Sequence, residues 1–292
     1  MLASLPQTSA ASMSDVGLKF AEDFSKLTSV KGEKVANQFF AFAVALHESK
    51  RLTRALTDYA KEADSKRGVI AVLAKSIKAD KLVEDVMVEL ASKKWSKPRD
   101  LFQVASEFAF STLMISLSKS KDTKLLENVE ANLFKLEEQM KDISKHNNDL
   151  VQLRDILSSE SRSLETRFTI VDTLIGKKAD APTLLLAKLA TLQIRGASRY
   201  VHSLKHISDE IARARGKKVV DIIAAAPLTA PQLKKLESHL QDKYNAPVQM
   251  NIVVKPAMLG GLRIEVDGDV FDTTILHSLN AFIADFELEF RS

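Results

Sequence analysis

The sequence predicts a mainly α protein: two tandem helical-bundle units followed by a small α+β domain at the C-terminus. Three observations lead there. Glycine and proline number only 9 and 7 among 292 residues, so elements run long between breakers. An apolar stripe at helical spacing occurs twice, about 100 residues apart. Beyond Gly216 the pattern changes to short β-branched runs with period-two alternation.

The stripes set the repeat. Val35, Phe39, Phe42 and Leu46 fall at i, i+4, i+7 and i+11, and Val129, Leu133, Leu136 and Met140 repeat that spacing. Arg51 to Leu56 follows the first stripe and Gln152 to Leu157 the second, with an insertion around Lys145 to Asn148. Each unit is too long for a short solenoid repeat and large enough to enclose its own core, hence two bundles. The expected divisions are a disordered 1–14, a first bundle over 15–120, a second over 121–217, and the C-terminal domain over 218–292. Met13, ahead of the first helical pattern, is a second candidate start beside Met1.

Local signals mark the helix ends. Ser96 precedes Lys97-Pro98-Arg99-Asp100, an N-cap with proline in the first turn. Gly68, Gly176 and Gly196 stand near plausible helix ends, and the second bundle closes near Arg215 to Lys217. Val219 to Ala225 reads as a buried strand. Thr229 caps a helix over Ala230 to Tyr244. Val248 to Val254 and Gly261 to Val266 are strands, joined onward by the turn Asp267-Gly268-Asp269. Asp272 caps a last helix, Thr273 to about Phe286, built on Ile275, Leu276, Leu279, Phe282 and Ile283.

Composition narrows the function classes. No cysteine is present, which excludes disulfides, thiolate metal sites and cysteine nucleophiles. The apolar stretches Phe39 to Leu46 and Leu184 to Leu192 are far shorter than a bilayer span of roughly 18 to 20 residues. Residues 1–14 carry neither the basic residues nor the apolar run of a targeting peptide. The net charge of +4 is uneven: Lys218 onward holds 7 Lys+Arg against 10 Asp+Glu, net −3, leaving 35 against 28, net +7, before it. A basic excess interleaved with Glu and Asp is a solubilising surface before it is a nucleic-acid face.

The C-terminal residues carry a resemblance. Ala224 to Thr229, then Pro256 to Val266 and Asp269 to Asp272, closely resemble the signature of the ATP synthase delta-subunit family. The mitochondrial oligomycin-sensitivity-conferring protein shares that signature. Its residues here are Pro227, Leu228 and Thr229, Pro256, the pair Gly260 and Gly261, and Asp269 and Asp272, all read as structural. Leu52 to Asp58 and Trp95 to Leu101 are similar to matching points of an extended form of the family, in which a six-helix unit occurs twice. Lys255 stands where the family usually has Asp, and Thr273-Thr274 replaces Gly-Ser. The final helix also has fewer basic residues than usual. These departures touch surface charge and a turn, not the apolar pattern.

The resemblance implies a non-catalytic stator subunit of the proton-translocating F-type ATP synthase, peripheral on the cytoplasmic face of the bacterial membrane. Its helical part would hold the alpha subunits of the head and its C-terminal domain the b subunits of the peripheral stalk. No cofactor, metal or catalytic residue is expected. Phe39, Phe40 and Phe42 are the tentative partner-binding residues. Phe39 and Phe42 share the core face, whereas Phe40 points about 100° away, either into an all-round buried core or along a partner groove.

Other chemistry is disfavoured. Glu265, Asp267, Asp269 and Asp272 lack the alternation and terminal bidentate Glu of a calcium loop. His202 and His206, at i and i+4 with Glu210 beyond, lack the HExxH pattern and a third zinc ligand. A hydrolase built on the acidic turn would need a carboxylate in a pocket. No phosphate-binding spacing surrounds Gly260-Gly261. The competing functions are a stalk protein of a related export ATPase and a basic helical nucleic-acid-binding protein.

Overall fold

A computed structural model of the chain describes residues 5–272 apart from 121, 147–152, 154, 160, 177–178, 193–198, 259 and 268. Its contacts fall into two compact units, Met1–Ser208 and Asp209–Ser292.

The first unit is helical: α1 Gln7–Lys19, α2 Ala21–Ser25, α3 Ser29–Glu48, α4 Lys50–Thr57, α5 Ala63–Ser76, α6 Lys81–Ser92, α7 Pro98–Ser118, α8 Thr123–His146, α9 Leu164–Ile175, α10 Ala181–Leu192 and the first part of α11 Arg199–Ala214. Both apolar stripes are buried, Val35 to Leu46 on α3 and Val129 to Met140 on α8. The repeated spacing therefore reflects repeated packing. The first compact unit runs to Ser208, inside α11.

Helices α3 and α7 form the centre of the first half. Phe24, Phe39 and Phe108 make a triangle of rings with centroids 5.5 to 6.2 Å apart, tying α2, α3 and α7 together. Gly32 allows the close approach: a Cβ there would lie 2.9 Å from Ser116 Cβ. Ser116 Oγ donates to Ser29 O at 2.6 Å, which closes the same contact with a hydrogen bond.

The N-terminal expectation is corrected. Residues 7–14 are helical, not disordered, because α1 is pinned by polar contacts with partners far along the chain. Ser9 Oγ donates to Asp100 Oδ2 at 2.7 Å and Ser12 Oγ to Lys94 O at 2.7 Å. Lys19 pairs with Glu89 at 2.5 Å, and Asp15 with Lys93. These contacts place Ser9, Ser12 and Val16 on the buried face.

Helix α7 also departs from expectation. Lys97, not Ser96, is its N-cap, with Pro98 at the first helical position and Asp100 Oδ2 accepting from Lys97 N at 3.1 Å. By length and composition α7 could cross a bilayer, a segment the sequence reading did not single out. Most of its apolar stretch is instead buried inside the unit, as the core helix should be. Gly68 lies within α5 rather than at its end, and Gly176 caps α9 with an ordinary φ of −56°. Gly196 and the insertion at 147 and 148 lie outside the described residues.

The second unit carries a four-stranded sheet of order β2-β1-β3-β4, with β1 Lys218–Ala224, β2 Val248–Val254, β3 Leu262–Val266 and β4 Asp269–Asp272. Strand β1 pairs parallel with β2 and antiparallel with β3, and β3 pairs antiparallel with β4. The β1–β2 crossover is α12, Ala230–Tyr244, over the expected residues. Gln232 Oε1 accepts from the Thr229 N–H at 2.8 Å, and Asn245 at φ 47° ends the helix. Val220, Ile222, Leu240, Val248 and Val266 form the core, with Met250, Ile252, Leu262 and Ile264 packed against it.

Strand β4 was not expected. Asp272 therefore ends a strand; its expected capping role and the helix over Thr273 to Phe286 lie outside the described residues.

Candidate functional site

Among the described residues no three His, Cys, Asp or Glu side chains are grouped to hold a metal ion. The acidic turn is held differently: Lys218 Nζ pairs with Asp267 Oδ2 at 2.5 Å, and Asp267 takes φ 50°. Desolvation, with the Asp269 and Asp267 charges, raises the Tyr244 phenol above its usual value. Lys243 Nζ stands 3.5 Å from the centroid of the exposed Phe271 ring. His202 is exposed on α11 and His206 is half-buried with contacts of its own.

The signature residues have backbone roles. Pro227, Leu228 and Thr229 connect β1 to the cap of α12, and Pro256 lies in the turn after β2. Gly260 and Gly261 take φ 129° and 84° immediately before β3, conformations that L side chains rarely adopt. This brings the chain back antiparallel to β1. Asp269 and Asp272 are the first and last residues of β4, opposite Val266 and Arg263.

The phenylalanines divide. Phe39 and Phe42 are fully buried, so in this fold a partner cannot touch them. Phe40 is half-buried. Its ring lies 5.4 Å from that of Phe168 on α9, where Lys188 Nζ stands 5.8 Å from the Phe168 centroid and pairs with Asp172 at 2.8 Å. Phe40 thus joins α3 to α9 while keeping part of its surface exposed.

A groove that the sequence reading missed lies between α1 and α7. It has a volume of about 210 Å³ and is lined by Met13, Gly17, Phe24, Phe108 and Ile115 among others. Of its lining, Met13 and Ser14 fall in residues 1–14, expected to be disordered, and Phe24 stands on a separate helix, so no single apolar period marks the groove. The α1 wall rests on Glu89, whose carboxyl is held below its ordinary range by hydrogen bonds from Lys19 and then Lys93, against desolvation.

Comparison with known proteins covers both units. Residues 117–285 match the family model described as ATP synthase delta (OSCP) subunit. The chain is 32% identical over 270 residues to the ATP synthase subunit delta of Beutenbergia cavernae, covering 91% of this chain and 95% of that one. The subunit delta of Bifidobacterium adolescentis is 28% identical over 247 residues, 84% of this chain and 86% of its own. That of Thermobifida fusca is 27% identical over 249 residues, 85% and 88%. The matches to these relatives, over 247 to 270 residues, extend N-terminal to the segment matched by the family model. On that coverage the chain belongs to the ATP synthase delta (OSCP) family.

Proposed function

We propose that this peripheral-stalk subunit of the F-type ATP synthase joins the catalytic head to the stalk by gripping alpha subunits through its helical unit and b subunits through its C-terminal unit. It carries out no chemistry; its work is long-lived binding that stops the head turning with the central shaft. The complex is membrane-associated, and we place this chain on its cytoplasmic face. The observation that carries the reading is two compact units within a delta-family chain, each with surface of its own.

The division of charge supports two different partners, since residues before Lys218 are net +7 and those from it onward net −3. Complementary charge sets encounter rate and orientation more than affinity. Affinity then falls to apolar surface. In the first unit this is the α1–α7 groove and the exposed part of Phe40, the one residue of the three phenylalanines a partner can touch. Two bundles, over 15–120 and 121–217, stay as the proposed subdivision of the helical part. The signature residues Pro227, Leu228, Thr229, Pro256, Gly260, Gly261, Asp269 and Asp272 are proposed to shape the C-terminal unit rather than to touch b directly.

The test is a pull-down of the full chain with ATP synthase heads from its own source, with and without the soluble b stalk. One chain per head, and b recovered with heads only when this chain is present, is the expected result. Failure to recover either partner, with helical folding confirmed by circular dichroism, overturns the linker role.

A further inference from the structure

The first unit holds a second cavity, of about 490 Å³, on elements the α1–α7 groove does not use except α7 itself. It lies where the end of α3, the length of α4 and the first turn of α7 meet. Leu46 and Phe102 line it and are nearly fully buried, so its floor is apolar. Lys50 and Arg54 stand on one wall and Lys97 and Arg99 on the other, all exposed, and no carboxylate is among the lining residues. Arg54 also lines an adjoining depression with Arg51, Asp58 and Lys61, where three cations stand beside one carboxylate.

Like charges gathered this way repel, and an anion bound among them lowers that repulsion. Lys50 and Arg54 form no ion pair among the described residues, so their charge is available. The basic excess of the helical part is thus not only a diffuse solubilising surface; a share of it converges on one concavity.

The floor decides which anion. A bare phosphate or sulfate gains nothing from Leu46 and Phe102. A nucleobase needs an open aromatic face to stack on. Phe102 is 4% exposed and meets the His47 ring edge-on, centroids 5.2 Å apart, so it offers none. The volume lies within the roughly 300 to 1,000 Å³ of ordinary ligand pockets, enough for one large apolar side chain and its flanking backbone.

We propose that this cavity receives an acidic segment of a partner protein, one apolar side chain entering above Leu46 and Phe102 while flanking carboxylates meet Lys50 and Arg54 on one side and Lys97 and Arg99 on the other. The site is separate from the question of which subunits the α1–α7 groove and the C-terminal unit hold. It adds a charge-selected contact on the N-terminal helices, most of which precede the segment matched by the family model.

Fluorescence anisotropy of the full chain tests this, with a short labelled peptide bearing one Leu between paired Glu residues. Saturable binding at low salt is expected, weakened about tenfold or more by Arg54→Glu with Lys97→Glu. The pair Lys234→Glu with Lys235→Glu makes the same change of net charge on exposed α12 residues and should leave binding intact. A peptide with Leu→Ser should bind much more weakly. No saturable binding, equal weakening by both variant pairs, equal binding of the Leu→Ser peptide, or full displacement by pyrophosphate or a single-stranded oligonucleotide at matched charge would each overturn the proposal. Circular dichroism of both variants excludes misfolding as the cause.

Discussion

Phe40 on α3 and Phe168 on α9 meet with ring centroids 5.4 Å apart, at an interplanar angle of 43°. They are 128 positions apart and lie in the two segments that the repeat marks as separate copies. Tilted aromatic pairs add about 0.5 to 1.5 kcal/mol beyond the area they bury. Phe40→Ala should therefore destabilise the helical unit by about 1 to 3 kcal/mol, less than a fully buried Phe because part of the side chain is already in contact with solvent. Urea unfolding of the single and double variants with Phe168→Ala measures it. Additive losses would mean that the two rings are not coupled.

Gly32→Ala separates packing from propensity. Alanine favours a helix interior by about 1 kcal/mol over glycine. Here the new methyl would meet Ser116 Cβ at 2.9 Å and Ser116 Cα at 3.2 Å, and the second contact is backbone that cannot swing aside. Overpacking of this kind costs about 1 to 3 kcal/mol. A net loss of stability is expected in urea unfolding, with a larger one for Gly32→Val. Stabilisation by Gly32→Ala would show that α3 and α7 separate readily.

Acid should loosen α1 before it unfolds the rest. Glu89 has its carboxyl lowered by the Lys19 hydrogen bond first and Lys93 second. A carboxylate with a lowered folded value contributes stability fully present above its unfolded value, about 4.3, and lost as pH falls through the folded one. Asp15 is shifted the same way by Lys93. Hydrogen exchange of α1 amides from pH 6 down to about 3 should show protection falling below about 4.3. Glu89→Gln should make α1 less protected at neutral pH and flatten that dependence.

Gly261→Ala tests the turn into β3. Its φ of 84° costs a non-glycine residue about 1 to 2 kcal/mol. The loss should appear in the exchange rates of β3 and its neighbour β1, and leave α3 and α7 unchanged. A loss spread evenly over both units would mean that they unfold as one.

What the sequence made legible follows from how local each cause is. The Ala230–Tyr244 helix was readable to the residue because Thr229, Gln232 and Asn245 terminate it within a few positions. The Val35 and Val129 stripes were readable because burial on a helix has a period. Helix α1 was not, since Ser9 and Ser12 are held by Asp100, Ser96 and Lys94, each more than 80 positions away. Strand β4 has four residues, too few for alternation to register, and two of them are Asp. The basic cavity is assembled from two short segments around residues 50 and 98, and only the fold brings Arg54 to Lys97. The phenylalanine run was half legible: spacing sorted Phe39 and Phe42 from Phe40, but nothing local pointed to Phe168.

Strand β1 follows α11 after only Arg215 to Lys217, and it is an interior strand, paired with β2 over all seven of its residues and with β3 on its other side. Tension passed from the end of α11 to the sheet therefore arrives along the axis of a strand gripped on both flanks. Its hydrogen bonds are loaded together, in shear, and not peeled one at a time from an edge. For a part whose task is to hold still against a rotating neighbour, that connection makes the sheet resist pulling as a block.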